Sequence, residues 1–142
     1  MSYLLDTNVI SEVVARRPDP NVTSWLQELE PEAVFLSVVT VGELNRGIQK
    51  LKESRRKRVL SNWLTGDLLV RFQDHLLPLD VPVMITWGAL VARVEAGGKQ
   101  IPVIDSLLAA TAAQHGLTLA TRNVRDFQPI GISIVNPWEP PS

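Results

Sequence analysis

The 142-residue sequence contains no cysteine and only two histidines, His75 and His115. The absence of cysteine excludes a disulfide framework and thiolate metal sites, and a reducing compartment is the simplest setting for such a chain. No segment approaches the roughly 20 consecutive apolar residues that a membrane-spanning helix needs. The N-terminus also lacks a basic stretch followed by a long apolar core, as a secretion signal would have. We therefore expect a cytoplasmic protein with no membrane partner.

Charge and aromatic residues are modest in number. Charged residues make up 20% of the chain, aromatic residues 6% and hydrophobic residues 45%, and the net charge is -1. This composition is that of an ordinary globular protein and gives no indication of disorder. The length suits a single domain, so we expect residues 1–142 to form one.

The spacing of the apolar residues predicts short strands separated by helices. Helical spacing such as Val41, Leu44 and Ile48 alternates with short apolar runs. The strand candidates are residues 3–5, 33–36, 77–79, 117–120 and 132–135. Strands joined through helices are typical of a parallel sheet covered on both faces. The sequence therefore predicts an α/β fold with a mainly parallel sheet of four to five strands.

Polar side chains follow several of these strands at the point where each strand ends. Asp6 follows the first strand within LLDTNVISE, Glu43 lies in the helix after the second, and Asp105 opens an alanine-rich helix. Asn123 and Asp126 follow the fourth strand. In open parallel sheets the ligand crevice lies beyond the carboxyl ends of the strands. We expect these side chains to meet at that edge.

Each acid also has a purely structural interpretation. Thr40 and Glu43 have the spacing of a capping box, and Asp6 and Asp105 could cap helices. If the acids converge, however, their mutual repulsion favours a cation between them. An all-oxygen donor set suits Mg²⁺ or Mn²⁺.

Four motifs carry a resemblance to a known family. LLDTNVISE, SVVTVGEL, IPVIDSLLAATAAQHGLTLATRNVRDF and VNPW, in this order, resemble the PIN-domain ribonucleases of the VapC and FitB type. The resemblance implies an α/β/α sandwich and metal-dependent endonuclease cleavage of RNA through a metal-activated water. It also implies the role of toxin beside a small antitoxin of the VapB or FitA kind, and a homodimer that becomes a heterotetramer or larger with the antitoxin.

The family's first acid matches Asp6, its glutamate matches Glu43 and its third acid matches Asp105, so the resemblance makes these three the metal ligands and catalytic acids. Where some members carry a fourth aspartate, this chain has Asn123. Either Asn123 serves as an uncharged fourth group, which we favour, or Asp126 supplies the charge.

Neighbouring polar and basic residues are candidates for supporting roles. Thr7 and Asn8 are expected to cap the first helix and orient Asp6, with substrate contact as the less favoured role. Arg46, Lys50 and Arg122 are candidates for holding RNA phosphates.

Seven of the 14 lysines and arginines lie within residues 46–58. The alternative interpretation of this basic segment is a solvated helix face. The resemblance also implies an antitoxin groove between the early helices, for which Trp25 and Leu29 are candidates together with the second half of the basic helix.

Other functions fit the sequence less well. A phosphoaspartyl phosphatase needs a second acid where this chain has Asn8. The serious alternative to a nuclease is a catalytically weak PIN-like domain that binds RNA or a protein partner without cutting, because the fourth acid is replaced by Asn123.

Overall fold

A computed structural model of the chain describes residues 1–140. Five parallel strands form one sheet in the order β3-β2-β1-β4-β5. The strands are β1 (Tyr3–Leu5), β2 (Val34–Ser37), β3 (Leu76–Leu77), β4 (Thr118–Ala120) and β5 (Ile134–Val135). The predicted α/β fold with a parallel sheet is confirmed. The predicted third strand begins one residue and ends two residues too late, the predicted fifth begins two residues too early, and the predicted second and fourth each begin one residue too early.

Eight α-helices connect and flank these strands within the described residues. They are α1 (Thr7–Val13), α2 (Pro20–Gln27), α3 (Val38–Gln49), α4 (Arg55–Asn62), α5 (Leu69–Arg71), α6 (Val81–Ala96), α7 (Val103–His115) and α8 (Val124–Phe127). A π-helical segment, Trp63–Leu68, joins α4 to α5. No helix within residues 1–140 is both long enough and apolar enough to cross a membrane.

The sheet separates two hydrophobic cores. Successive strand residues point to opposite faces, so Leu5 and Ala120 pack in one core, whereas Leu4 and Leu119 pack in the other. The first core is completed by α1 to α4 and the π-helical segment, and the second mainly by α6 and α7. Because both faces are covered, the central strands are continuously apolar and their ends are fixed firmly in space.

The sequence pattern predicts Asn21 as the cap of α2 and Thr40 as the start of α3, and both predictions are wrong. Helix α2 begins at Pro20, and its cap is Asp19, whose carboxylate accepts the backbone N–H of Asn21 at 2.8 Å. Helix α3 is capped by Ser37, whose hydroxyl accepts the N–H of Val39 at 3.0 Å. Thr40 is thus buried inside the helix. The capping-box interpretation of Thr40 and Glu43 is therefore wrong, because serine at the strand end supplies the cap first.

Candidate functional site

Asp6 is held rigidly at the carboxyl end of the central strand. Its N–H donates to the carbonyl of Ala120 at 2.9 Å, which ties it to β4. Its Oδ1 accepts the N–H of Thr7 at 2.7 Å, and its Oδ2 accepts the hydroxyl of Thr121 at 2.8 Å. The side chain is 5% exposed. Asp6 therefore caps α1 and also presents a fixed carboxylate.

Thr7 and Asn8 connect Asp6 to other segments. The Thr7 hydroxyl donates to Glu43 Oε1 at 2.8 Å, so it orients the glutamate. The amide of Asn8 lies 3.4 Å from Asp6 Oδ2, a long contact that supports its predicted orienting role. The prediction that these two residues cap the first helix is wrong, since Asp6 itself is the cap.

Asp105 is the third residue of α7. Pro102 occupies the cap position of that helix. Asp105 therefore does not cap the helix, although a carboxylate in the first turn interacts favourably with the helix dipole. Its side chain faces the same space as Asp6 and Glu43.

That space, the acidic cleft, has a volume of about 450 Å³. It lies at the edge where β1 and β4 end, as the position of Asp6 and Thr121 requires. Its lining residues are Asp6, Thr7, Asn8, Ser11, Glu12, Glu43, Asp105, Arg122, Asn123 and Trp138. The structure thus brings together acids that lie as many as 99 residues apart in the sequence.

The acids of the cleft disfavour one another's charge. Burial raises the pKa of Asp6, and Glu43 adds to that rise, while the hydrogen bonds from Thr121 and Thr7 oppose it. Burial also raises the pKa of Asp105 to about 6, with further contributions from Asp6, Asp126 and Glu43. A bound cation would relieve this repulsion, because it favours the ionised form of each carboxylate.

The donor set fits a hard cation in chemistry, since it consists of carboxylate and amide oxygens. Among residues 1–140, no group of three histidine, aspartate or glutamate side chains is arranged so that it could hold a metal ion by itself. Mg²⁺ usually keeps several waters and takes only one or two protein carboxylates. The cleft therefore suits a hydrated cation, and the ligand set of Asp6, Glu43 and Asp105 stays a prediction.

The two candidates for the fourth position are placed differently. Asn123 lines the acidic cleft, and its N–H donates to the Thr121 hydroxyl at 3.0 Å. Asp126 is exposed on α8 and is not part of the lining, although it is near enough to Asp105 to raise that residue's pKa. The next residue, Phe127, is fully buried and anchors this segment. The roles of both candidates stay predictions.

Sequence reasoning missed four residues of the site: Ser11 and Glu12, which line the cleft from α1, and also Thr121 and Trp138. Thr121 is fully buried and accepts the N–H of Asn123 while donating to Asp6. Trp138 lines the cleft from the segment after β5. Thr121 and Trp138 both follow a strand of the parallel sheet, so the strand-end argument that selected the acids would have found them if hydroxyl and aromatic side chains had been included.

Only one of the three predicted phosphate-binding residues lines the acidic cleft. Arg122 lines the acidic cleft, whereas Arg46 and Lys50 are exposed at the C-terminal end of α3 and do not line it. Any contact of Arg46 or Lys50 with RNA would therefore lie outside the cleft. Their role stays a prediction.

Part of the basic segment has a structural role. The Arg56 guanidinium donates to the carbonyl of Val14 at 2.8 Å, at the end of α1. Lys57 donates to the carbonyl of Gln49 at 3.3 Å, at the end of α3, and pairs with Glu53 at 2.8 Å. Cations at helix C-termini are stabilising, so these two residues fasten helices to each other.

A second and larger space, the apolar cavity, lies between α1, α2 and the π-helical segment. Its volume is about 540 Å³. The apolar side chains that line it include Ile10, Val13, Val22, Leu26, Leu29, Trp63, Leu68 and Phe72. Leu29 thus lies where an early-helix groove was predicted. Trp25 is not in this lining, and its ring packs edge-on against Tyr3 at 5.0 Å between centroids.

Comparison with known proteins gives consistent results. The family model described as PIN domain matches residues 3–131. The chain is 37% identical over 137 residues to VapC ribonuclease Y4jK of Sinorhizobium fredii, which covers 96% of this chain and 98% of that protein. It is 40% identical over 135 residues to Toxin FitB of Neisseria gonorrhoeae, which covers 95% of this chain and 97% of that protein.

Solved structures show the same relationship. The FitAcB structure from Neisseria gonorrhoeae matches with a TM-score of 0.92 and 39% identity, over 96% of this chain and 99% of that one. The structure of FitAB bound to an IR36 DNA fragment matches with a TM-score of 0.93 and 36% identity, over 99% and 98% of the two chains. The sequence motifs, the sheet order and these matches agree, and the chain belongs to the PIN domain family.

Proposed function

We propose that this chain is a divalent-cation-dependent endoribonuclease and the toxin of a toxin–antitoxin pair. The observation that carries the proposal is the meeting of Asp6, Glu43 and Asp105 in one cleft at the carboxyl edge of the sheet. Support comes from relatives named as a VapC ribonuclease and a FitB toxin, each matching nearly the whole chain. The substrate is RNA, and the reaction is hydrolysis of its phosphodiester bonds.

The side chains of the cleft have different roles in the proposed reaction. Asp6 and Asp105, with Glu43, hold Mg²⁺ or Mn²⁺ at the end of the sheet. When bound, such a cation supplies positive charge beside the scissile phosphate and lowers the pKa of water. Asp6 keeps its position through Thr7 and Thr121. Glu43, whose Oε1 accepts the Thr7 hydroxyl, is our candidate for accepting a proton from the attacking water.

Asn123 contributes an uncharged oxygen at the fourth position. Three carboxylates already carry three formal negative charges, so a neutral amide leaves less repulsion against an anionic phosphate. Asp126 takes a peripheral role, because it lies outside the lining of the cleft. This arrangement is compatible with catalysis and does not require a fourth acid in the cleft.

Cleavage of RNA by the purified chain tests the proposal. We expect cleavage with Mg²⁺ or Mn²⁺, none with a chelator, and recovery when the cation is restored. Sequencing of the RNA ends should give 5′-phosphate and 3′-hydroxyl termini. The alternative, a PIN domain that binds RNA or a protein without cutting, is supported by the replacement of an acid by Asn123. It predicts intact RNA under every one of these conditions.

The apolar cavity is the proposed binding site for a VapB- or FitA-like antitoxin. The FitA–FitB and VapB–VapC structures that match this fold are complexes. The cavity combines an apolar floor with charged residues at its margin, among them Glu12, Glu32, Asp67 and Arg71. Such a site suits an amphipathic segment of a small protein. Affinity for the cognate antitoxin, measured on variants of the cavity, is the direct test.

An exposed apolar patch is the proposed contact with a second copy of the chain. It lies at the starts of α6 and α7 and consists of Val81, Met84, Ile85, Val103 and Ile104, of which Val81 is 71% and Ile85 69% exposed. Large apolar side chains exposed in this number are typical of interaction sites. A homodimer formed here would place its interface next to Asp105. We expect Ile85→Asp to produce a monomer in size measurements, and a dimer that persisted would place the interface elsewhere.

A further inference from the structure

The guanidinium of Arg122 shares the acidic cleft with four carboxylates, those of Asp6, Glu12, Glu43 and Asp105, and forms an ion pair with none of them. Arg122, Asp6, Glu43 and Asp105 all line it. Within residues 1–140, the one ion pair is that of Lys57 with Glu53, and neither of these residues lines the cleft. Arg122 is exposed and has a long side chain. Because opposite charges in a partly buried cleft attract strongly, the separation of Arg122 from the acids needs a cause.

Trp138 supplies that cause. The Arg122 guanidinium carbon lies 5.3 Å from the centroid of the Trp138 ring, within the range of a cation–π contact. The backbone N–H of Arg122 also faces Asn8 Oδ1 at 3.4 Å, which directs the start of the side chain. In this position over the indole, the guanidinium makes no ion pair with a carboxylate of the cleft.

Contacts of the segment after β5 fix the position of Trp138. Its N–H donates to Asn136 Oδ1 at 3.0 Å, and its carbonyl accepts the amide of Asn21 at 2.9 Å. Pro137 is buried, and the edge of the indole packs on the first core. The two hydrogen bonds use only backbone atoms of residue 138, so they remain possible when the indole is removed.

We propose that Trp138 is a positioning residue that holds Arg122 away from Asp6, Glu43 and Asp105, so that a cation and not the arginine occupies the carboxylates. This inference rests on the proposed function, because it assumes that the acids bind a divalent cation. A released guanidinium would donate to the same oxygens that the metal needs and would act as an internal competitor. Held over the indole, it stays available to a phosphate of the RNA.

The expected loss of Mn²⁺ affinity follows from the fraction of molecules in which Arg122 leaves the carboxylates free. An exposed cation–π contact shifts an equilibrium by about two- to fivefold. Apparent affinity falls in proportion to the fraction of molecules whose site is competent. Loss of the indole should therefore weaken Mn²⁺ binding by about two- to fivefold.

Calorimetric Mn²⁺ titration of the intact chain and four variants tests the proposal. Trp138→Ala should weaken binding, and Trp138→Phe, which retains an aromatic face, should restore most of it. Arg122→Gln should bind Mn²⁺ as tightly as the wild type. The decisive variant combines Trp138→Ala with Arg122→Gln, and it should regain wild-type affinity because the competitor is gone.

The outcomes separate the inference from the proposed function. If the double variant binds as weakly as Trp138→Ala, the tryptophan acts through packing and the inference is wrong. It is also wrong if Trp138→Ala binds Mn²⁺ as tightly as the wild type. If the wild type itself binds no Mn²⁺, the metal-dependent function fails and the inference fails with it.

Discussion

The acidic cleft and the apolar cavity meet at α1 and differ in almost every other respect. Glu12 lines both. The cleft is polar and gathers its carboxylates from segments far apart in the sequence: Asp6 follows β1, Glu43 projects from the second turn of α3, and Asp105 lies in the first turn of α7. The cavity is lined mostly by apolar side chains of α1, α2 and the π-helical segment. Charged side chains define the cleft, whereas the cavity is a space bordered mostly by apolar side chains.

The difference shows how two functions share a small domain. The cleft stores unfavourable electrostatic energy, since the pKa of Asp105 is raised to about 6 by burial and neighbouring acids. A cation can release that energy, and an apolar peptide segment cannot. The cavity holds apolar surface that only a partner segment can cover. The comparison therefore predicts that substitutions in one region leave the function of the other intact.

The largest expected effect comes from the cleft. Asp105→Asn should reduce RNA cleavage by about a thousandfold, since several kcal/mol of transition-state stabilisation depend on the bound cation. It should also weaken Mn²⁺ binding. Asp126→Asn is the matched control and should lower the rate by only about threefold, because its charge is exposed and screened. Equal loss of Mn²⁺ affinity in both variants, measured by calorimetry, would make Asp126 a ligand.

A smaller effect is expected from the cavity. Leu29→Asp should weaken antitoxin binding by about thirtyfold, the usual cost of losing a buried interface anchor. RNA cleavage by the free chain should not change. Ala92→Asp introduces the same charge at an exposed position of α6, outside the cavity, and should leave antitoxin affinity unchanged. If Leu29→Asp binds antitoxin as tightly as the wild type while remaining folded, the cavity is not the antitoxin site.

A still smaller effect is expected when a basic residue outside both regions is replaced. Arg46→Gln, in an inactive Asp6→Asn background, should weaken RNA binding by about threefold at low salt and less at high salt. The slope of log affinity against log salt should become shallower by about 0.7, as expected for one phosphate contact with a single strand. An equal loss at every salt concentration would indicate a structural role for Arg46.

The smallest effect concerns stability. A raised folded-state pKa means that the folded chain binds more protons than the unfolded chain between the two pKa values, so stability falls as pH rises through that window. For Asp105 the window runs from 3.8 to about 6. With a chelator present, Asp105→Asn should therefore raise the unfolding temperature at pH 7.5 more than at pH 5. A difference that did not change with pH would show that Asp105 carries no charge penalty.

The polar residues at the carboxyl edge of the sheet could be predicted because the sequence signal that marks each of them is local. Asp6 follows an apolar strand and precedes a helix, and parallel strands bring such positions together. Helix starts were harder, because Ser37 and Asp19 compete with Thr40 and Asn21 for the same capping role and only backbone geometry decides between them.

The cavity could not be predicted in the same way. Ile10, Val22 and Phe72 have the spacing of ordinary core residues, and nothing in their pattern shows that the space beside them is left open. The contact of Arg122 with Trp138 was equally hidden, since 16 positions separate the two residues and the link depends on how the tail turns after β5.

The most direct test of the central claim, that the acidic cleft is a cation-dependent nuclease site, compares two substitutions of the same kind. Asp6 and Asp19 both cap helices with their carboxylates, but only Asp6 lines the cleft. Asparagine can keep each cap. RNA cleavage and Mn²⁺ binding should be lost in Asp6→Asn and retained in Asp19→Asn, with both variants folded. Wild-type cleavage by Asp6→Asn would contradict the account.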